Sequence, residues 1–206
     1  VPAALVAASP PITIVEDLAT DSAAAFDATT GTVATCTLGA GPISNVSSGF
    51  NQPNAFTAMA VRIPLCAACP SPQTLDLKTV SFSIFWANVC TAQAEVSVVR
   101  AIVAGGCLAP DPTQVLCGPV AHAISGLGPG PVIHTLPIPT GCCVSGDAFV
   151  LVSFIGIQNC SASGTLSPLL TRTTTACVNC QAYFTTNVSH PGLTDWCAIV
   201  PNGLWW

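Results

Sequence analysis

The sequence predicts an all-β protein, an antiparallel β-sandwich or barrel held by disulfides, and three observations carry that prediction. Several segments alternate polar and apolar residues with the period of two that a half-buried strand requires. The clearest is TVSFSIFWA (79–87), where Val80, Phe82, Ile84 and Trp86 fall on one face and Ser81 and Ser83 on the other. Eighteen prolines and sixteen glycines cut the chain into short pieces, and helical periodicity is hard to find between them. Twelve cysteines, an even number, stand in a chain of which only 6% is charged. Such usage belongs to an oxidising compartment and therefore to secretion.

The elements follow in chain order. In the opening VPAALVAASPPITIVEDLA, Pro11-Ile12-Thr13-Ile14-Val15 reads as a short apolar strand whose entry Pro10 and Pro11 hold extended. EDLATDSAAAFDA (16–28) reads as a turn or a short helix. AFTAMAVRI (55–63) alternates loosely, and TVSFSIFWA alternates strictly. In AEVSVVRAIVA (94–104), Val96, Val98, Arg100 and Ile102 lie opposite Glu95, Ser97, Val99 and Ala101. PVAHAIS (119–125) and PVIHTLPI (131–138) each begin at a proline, which suits a strand's first residue. AFVLVSFIGI (148–157) is apolar on both faces, so it is expected to be central in its sheet. TLSPLLTRTTT, CQAYFTTNV and the closing GLWW supply the remaining strands. Roughly nine or ten short strands between turn signals describe a sandwich or barrel. The simplest division is an N-terminal extension over residues 1–30 and one sandwich domain over 31–206.

Charge narrows the partners. Lys and Arg total four against nine Asp and Glu, a formal net charge of −5. The chain cannot offer the basic stripe that nucleic acid needs, and anionic membrane surfaces are disfavoured for the same reason. Mean hydropathy is +0.65, yet the longest apolar run, Ala148–Ile157, is about half the ~20 residues of a spanning helix. A chain of this size buries about 70% of its extended surface without any staple, so the cysteines point to resistance against proteases, heat or load. The absence of an initiator Met fits removal of a signal peptide. A surface short of charge is suited to contacting its own copies.

Two CxxC spacings, Cys66-Ala-Ala-Cys69 and Cys177-Val-Asn-Cys180, offer four thiolates for a tetrahedral zinc. More than a hundred residues separate them and eight other cysteines need partners, so disulfides are the better expectation and no metal is expected. A redox-active CxxC needs a helix N-terminus or a base beside the thiolate, and CAAC lies between Pro64 and Pro70 in loop-like sequence. The most local pairing is Cys107 with Cys117, across a segment read as a loop between two strands. Cys142 and Cys143 are adjacent, so each is expected to bond elsewhere. The pairing of Cys36, Cys66, Cys69, Cys90, Cys142, Cys143, Cys160, Cys177, Cys180 and Cys197 stays open.

No catalytic residue emerges and no enzyme is expected. His122, His134 and His190 are isolated, with His122 and His134 in strand-like segments, and the chain has no GxSxG elbow, HExxH or phosphate-binding glycine loop. Glu95, Asp76 and Asp147 are too scattered to suggest paired carboxylates. Glu16, Asp17, Asp21 and Asp27 form the densest acidic patch but lack a DxDxDG pattern, so no cation and no cofactor are expected. Asn45, Asn159 and Asn187 each begin a glycosylation sequon, and Thr171–Thr175 is a candidate for O-linked sugar. Glycan binding needs exposed aromatics. With Trp86 expected in the core, Trp196, Trp205 and Trp206 are the candidates, although the last two read better as the end of a strand.

An extended apolar segment ahead of a compact sandwich suits strand addition to a neighbouring subunit's open sheet edge. Ile12 and Ile14 would point one way and Thr13 and Val15 the other, making Ile12, Thr13, Ile14 and Val15 the expected subunit interface. Such a head-to-tail contact generates a fibre unless it happens to close. The alternative reading of the segment is an edge strand of its own domain, and low surface charge favours the fibre.

The segment LPIPTGCCVSGDAFVLVSF (136–154), with its Cys-Cys pair before a central apolar strand, resembles Cys-rich jelly-roll-like sandwich domains of bacterial secreted surface and filament proteins. The resemblance covers residues 75–206, including SFSIFW and PNGLWW. It implies an extracellular adhesive or structural role and brings no catalytic residue with it. The expected function is thus a structural subunit of an extracellular filament or surface layer, a homopolymer at the cell surface. The alternative is a secreted carbohydrate-binding module whose partners are glycans.

Overall fold

The computed structural model describes residues 12–15, 35–38, 43–44, 56–63, 74–160, 169–170, 172–173, 179–186 and 192–199. Its strands are β1 (Ile12–Val15), β2 (Thr35–Leu38), β3 (Ile43–Ser44), β4 (Phe56–Arg62), β5 (Thr74–Trp86), β6 (Val89–Ala104), β7 (Cys107–Leu127) and β8 (Gly130–Pro137). They continue with β9 (Cys143–Ser145), β10 (Ala148–Ile155), β11 (Leu169–Leu170), β12 (Arg172–Thr173), β13 (Ala182–Thr186) and β14 (Thr194–Asp195). A 3-10 turn (Ile157–Cys160) and one helical turn, α1 (Trp196–Ile199), complete the described elements. Among the described residues, no helix is long and apolar enough to cross a membrane.

Every strand pair is antiparallel. One six-stranded sheet runs β11-β5-β1-β2, with β8 and β9 also paired to the long β5; a second runs β14-β13-β4-β10-β6-β7; and β12 and β3 pair as a separate two-stranded ribbon. The alternation in the sequence now has its cause. Val80, Phe82, Ile84 and Trp86 of β5 are buried and pack in one cluster with Ala92, Ala94, Val96 and Val98 of β6 and Val150, Val152 and Phe154 of β10. The core therefore draws on the facing sides of both sheets, which is a sandwich. Each of its fully buried large side chains contributes about 1.5–3 kcal/mol.

β10 lies between β4 and β6, as its two apolar faces require. Its other face holds a second buried cluster, Ala58, Ala60, Val99, Phe149, Leu151 and Tyr183. The end of the β6–β7 hairpin covers part of it, with Ala101 and Ala109 packed against that cluster. That hairpin turns at Gly105-Gly106, whose φ values of 60° and 83° suit a two-residue connection. β7 then carries several register shifts against β6 between Arg100 and Val96, where its residues outnumber those of its partner. Such bulges bend and twist a strand, and here they let the hairpin end leave the plane of its sheet.

Three expectations are corrected. Cys107 to Cys117 is not a loop between strands but the first part of a single 21-residue strand. The extension does not stand apart, because β1 lies inside the first sheet between β2 and β5. Ile12, Thr13, Ile14 and Val15 pair with Leu38, Thr37, Cys36 and Thr35 on one side, and β5 partners Thr13, Ile14 and Val15 on the other. A strand hydrogen-bonded along both edges within its own chain has no edge left to donate, so these four residues are not a free subunit interface. The segment 16–28 lies outside the described residues.

Candidate functional site

The most elaborated region is the stapled end of the β6–β7 hairpin. Cys107 bonds to Cys180 immediately before β13. The Tyr183 hydroxyl donates to the Leu108 carbonyl oxygen at 3.0 Å, and its ring meets Phe149 edge-on. Burial first, with the Asp195 carboxylate adding to it and Arg62 opposing, holds the Tyr183 phenol above its usual value. Asp195 binds the backbone on both sides of this corner, accepting from the Cys180 amide at 2.9 Å and the Cys197 amide at 3.0 Å. Cys180 adopts φ 65°, a left-handed conformation rare outside glycine, and the bridge and the Asp195 bond fix it there. Farther along β7, Asp111 accepts from the Thr113 amide and hydroxyl and from Gln114. Those bonds, Thr113's first, hold its carboxyl below the usual range.

Ligand atoms of Cys107, Cys180 and Asp195 lie within 4.8 Å of one another. The two sulfurs are bonded to each other, however, and the carboxylate is engaged by two amides, so the donors of this set are already committed. The zinc alternative drawn from the CxxC pairs would have needed Cys180 as a thiolate.

The predicted bridge between Cys107 and Cys117 is overturned. Cys107 ends the hairpin opposite Ala104 while Cys117 pairs with Val98. Their partners stand six residues apart on β6, roughly 20 Å at strand rise. Cys117 instead bonds to Cys142, joining β7 of one sheet to the segment entering β9 of the other. Cys90, at the start of β6, bonds to Cys160 in the 3-10 turn. Cys197 is also disulfide-bonded, and Cys143 is an exposed free thiol. Cys142 thus bonds away from its neighbour as expected, and Cys143 does not bond at all. Cys66, Cys69 and Cys177 lie outside the described residues, and Cys36 is placed only as a residue of β2.

Other candidates scatter. His134 is buried and accepts from Trp86 Nε1 at 3.2 Å, so the neutral ring carries its proton on Nδ1. Desolvation holds its pKa below the ordinary value. His122 is half-buried on β7, with no hydrogen-bond partner at Nε2 among the described residues. Asp147 pairs with Arg62 at 2.6 Å on a partly exposed rim, and Glu95 lies on β6 facing Ala121. Nothing brings Asp76, Glu95 and Asp147 together: they belong to β5, β6 and the turn before β10. Trp196 is 1% exposed against Phe184 and is unavailable to a sugar. Asn159 is exposed, its amide bonded to the Gly156 carbonyl. Asn45, Asn187, His190, Trp205 and Trp206 lie outside the described residues, as do Glu16, Asp17, Asp21 and Asp27.

Sequence reasoning missed Asp195, although an Asp side chain that accepts from the backbone two residues on is a common turn arrangement. It also missed the edge of β7, which no second strand meets among the described residues, although a signal was present: from Pro112 to Gly146 the chain has no Asp, Glu, Lys or Arg.

No curated protein and no solved structure matches the chain. One family model does, over residues 24–205, which takes in β2 through β14 and α1. On that match, the chain belongs to the family described as Domain of unknown function (DUF7451).

Proposed function

We propose that the chain is a structural subunit of an extracellular assembly, a filament or surface layer built from copies of itself. The observation that carries this reading is the placement of its bridges on a sandwich that already has a complete core. Cys90–Cys160, Cys107–Cys180 and Cys117–Cys142 close loops of 70, 73 and 25 residues. In the chain-entropy account each restricts the unfolded chain by on the order of 4 kcal/mol. They tie the hairpin end, the first strand of the hairpin and the two sheets to one another, which suits a protein exposed to proteolysis or load. A charged fraction of 6% leaves little to keep copies apart.

Strand donation by Ile12–Val15 does not enter this reading, because β1 is already hydrogen-bonded on both edges. The glycan alternative loses Trp196 to the core and is not favoured. Sedimentation velocity across a concentration series, with negative-stain microscopy, tests the proposal. The expected result is concentration-dependent assembly into ordered particles. Monodisperse monomers at every concentration, retained on a glycan column, would overturn it.

A further inference from the structure

β7 forms one edge of the second sheet, and among the described residues only β6 pairs with it. Its two halves differ. From Asp111 to Val120 it carries register shifts and two prolines, Pro112 and Pro119, devices that keep an edge from meeting another strand. From Val120 to Leu127 it matches β6 residue for residue without a bulge. Along this run Val120, Ala121, Ala123, Ser125 and Leu127 are exposed, Leu127 by 84%. No proline and no charge lies within it, the nearest charge being Glu95 of β6 opposite Ala121.

We propose that this run is the docking edge for a second copy of the chain, the two β7 strands pairing antiparallel about a two-fold axis near Ala123. The inference rests on the reading of the chain as an assembly subunit and names one of its contacts. Charge selects the occupant. The neutral stretch from Pro112 to Gly146 includes the whole of the run and all of β8, the neighbouring edge of the other sheet. A second copy brings the same neutrality and sets no like charges opposite one another, whereas a charged partner strand would have to desolvate its charges against an apolar edge.

The residues are also self-complementary. In an antiparallel pair, opposed side chains share a face. With the axis at Ala123, Ala121 meets Ser125 and His122 meets Ile124. With the axis at Ile124, Ala121 meets Leu127, Ala123 meets Ser125 and His122 meets Gly126. Each pairing is small or apolar, and the two sheets continue as one across the axis. Two-fold contacts of this kind are the commonest way copies associate.

The test substitutes both exposed alanines on the outer side of the run. Ala121→Lys with Ala123→Lys sets four positive charges about the axis, and Ala121→Glu with Ala123→Glu sets four negative ones. Sedimentation velocity is run on the wild type, each variant and an equimolar mixture, with circular dichroism and melting to verify that each variant is folded. The expected result is a self-associating wild type, association weakened roughly tenfold or more in each variant alone, and recovery in the mixture. Variants that associate as the wild type does would overturn the β7 contact and leave the assembly reading standing. Variants that weaken with no recovery on mixing would overturn the self-pairing. A wild type that stays monomeric throughout would overturn both readings.

Discussion

Trp86 Nε1 donates a hydrogen bond to His134 Nε2 across 3.2 Å in the buried core. β5 and β8 are neighbours in one sheet, with Phe82 directly opposite His134, and the imidazole sits between the Phe82 and Trp86 rings, 5.6 and 5.9 Å from their centroids. The bond requires an unprotonated Nε2, so a core polar pair is built around the neutral imidazole.

Acid should therefore weaken the fold. Burial lowers the folded-state pKa of His134, while the unfolded chain retains about 6.5. Between these values the unfolded state binds more protons, so stability rises with pH. The contribution is fully present above about pH 6.5, declines as pH falls through the folded-state pKa and levels off below it. Urea midpoints measured from pH 7.5 downward should fall across that window. The slope should flatten in His134→Gln, which cannot titrate. An equal slope in both proteins would assign the effect to other groups.

Gly126 on β7 faces the same tryptophan from the opposite sheet. A Cβ built at this position collides with the Cβ, Cγ and Cδ2 atoms of Trp86, so glycine is what lets the indole lie against the strand. Gly126→Ala should destabilise by about 1–3 kcal/mol, the usual range for overpacking. The two sites share one contact, so their effects should not add. In a double-mutant cycle, Trp86→Ala, which removes Cγ and Cδ2, should abolish most of the further loss caused by Gly126→Ala, read as urea midpoints.

The hairpin end is held by one bridge and one hydrogen bond, and these should separate. Cys107→Ser with Cys180→Ser should lower stability by about 2–5 kcal/mol. Tyr183→Phe should lower it by about 0.5–1.5 kcal/mol, the worth of one net hydrogen bond. The double serine variant should also become susceptible to limited proteolysis between Ile102 and Ala109, while β10 stays protected. Cleavage of wild type and variant at the same rate would show that the apolar contacts of Ala101 and Ala109 suffice to hold the hairpin down.

The interior was legible in the sequence because burial in a sheet imposes a period of two. Val80, Phe82, Ile84 and Trp86 announced their face, and the unbroken apolar run at Ala148–Ile157 announced a strand covered on both sides. What escaped notice depends on contacts remote in sequence. Cys107 and Cys117 look local until β7 is seen to be one strand, and their true partners lie 73 and 25 residues away. What covers that outer face was not legible, because Ala101 and Ala109 reach it only through the β6–β7 hairpin, whose second strand begins in sequence that reads as a loop. Trp196 looked available because only packing against Phe184 reveals it as core. The place of β1 escaped for a related reason: an apolar strand reads the same whether its edges are met by its own chain or by a neighbour.

Deleting residues 1–15 decides that last point. β1 lies between β2 and β5, pairing four residues with the first and three with the second. Its removal strips hydrogen-bond partners from Asp76, Leu77 and Thr79 of β5 and from all of β2, for which β1 is the described neighbour. Leu77 is 1% exposed in the core, so the loss reaches the interior. With each net hydrogen bond worth about 0.5–1.5 kcal/mol, the truncated chain should lose several kcal/mol and unfold at a clearly lower urea concentration. Restoring the strand as a separate peptide, residues 8–18, should raise the midpoint with increasing peptide concentration, as mass action requires of a ligand that binds only the folded state. A truncated chain as stable as the full one would mean that β5 does without this neighbour, and strand donation between copies would then regain its physical basis.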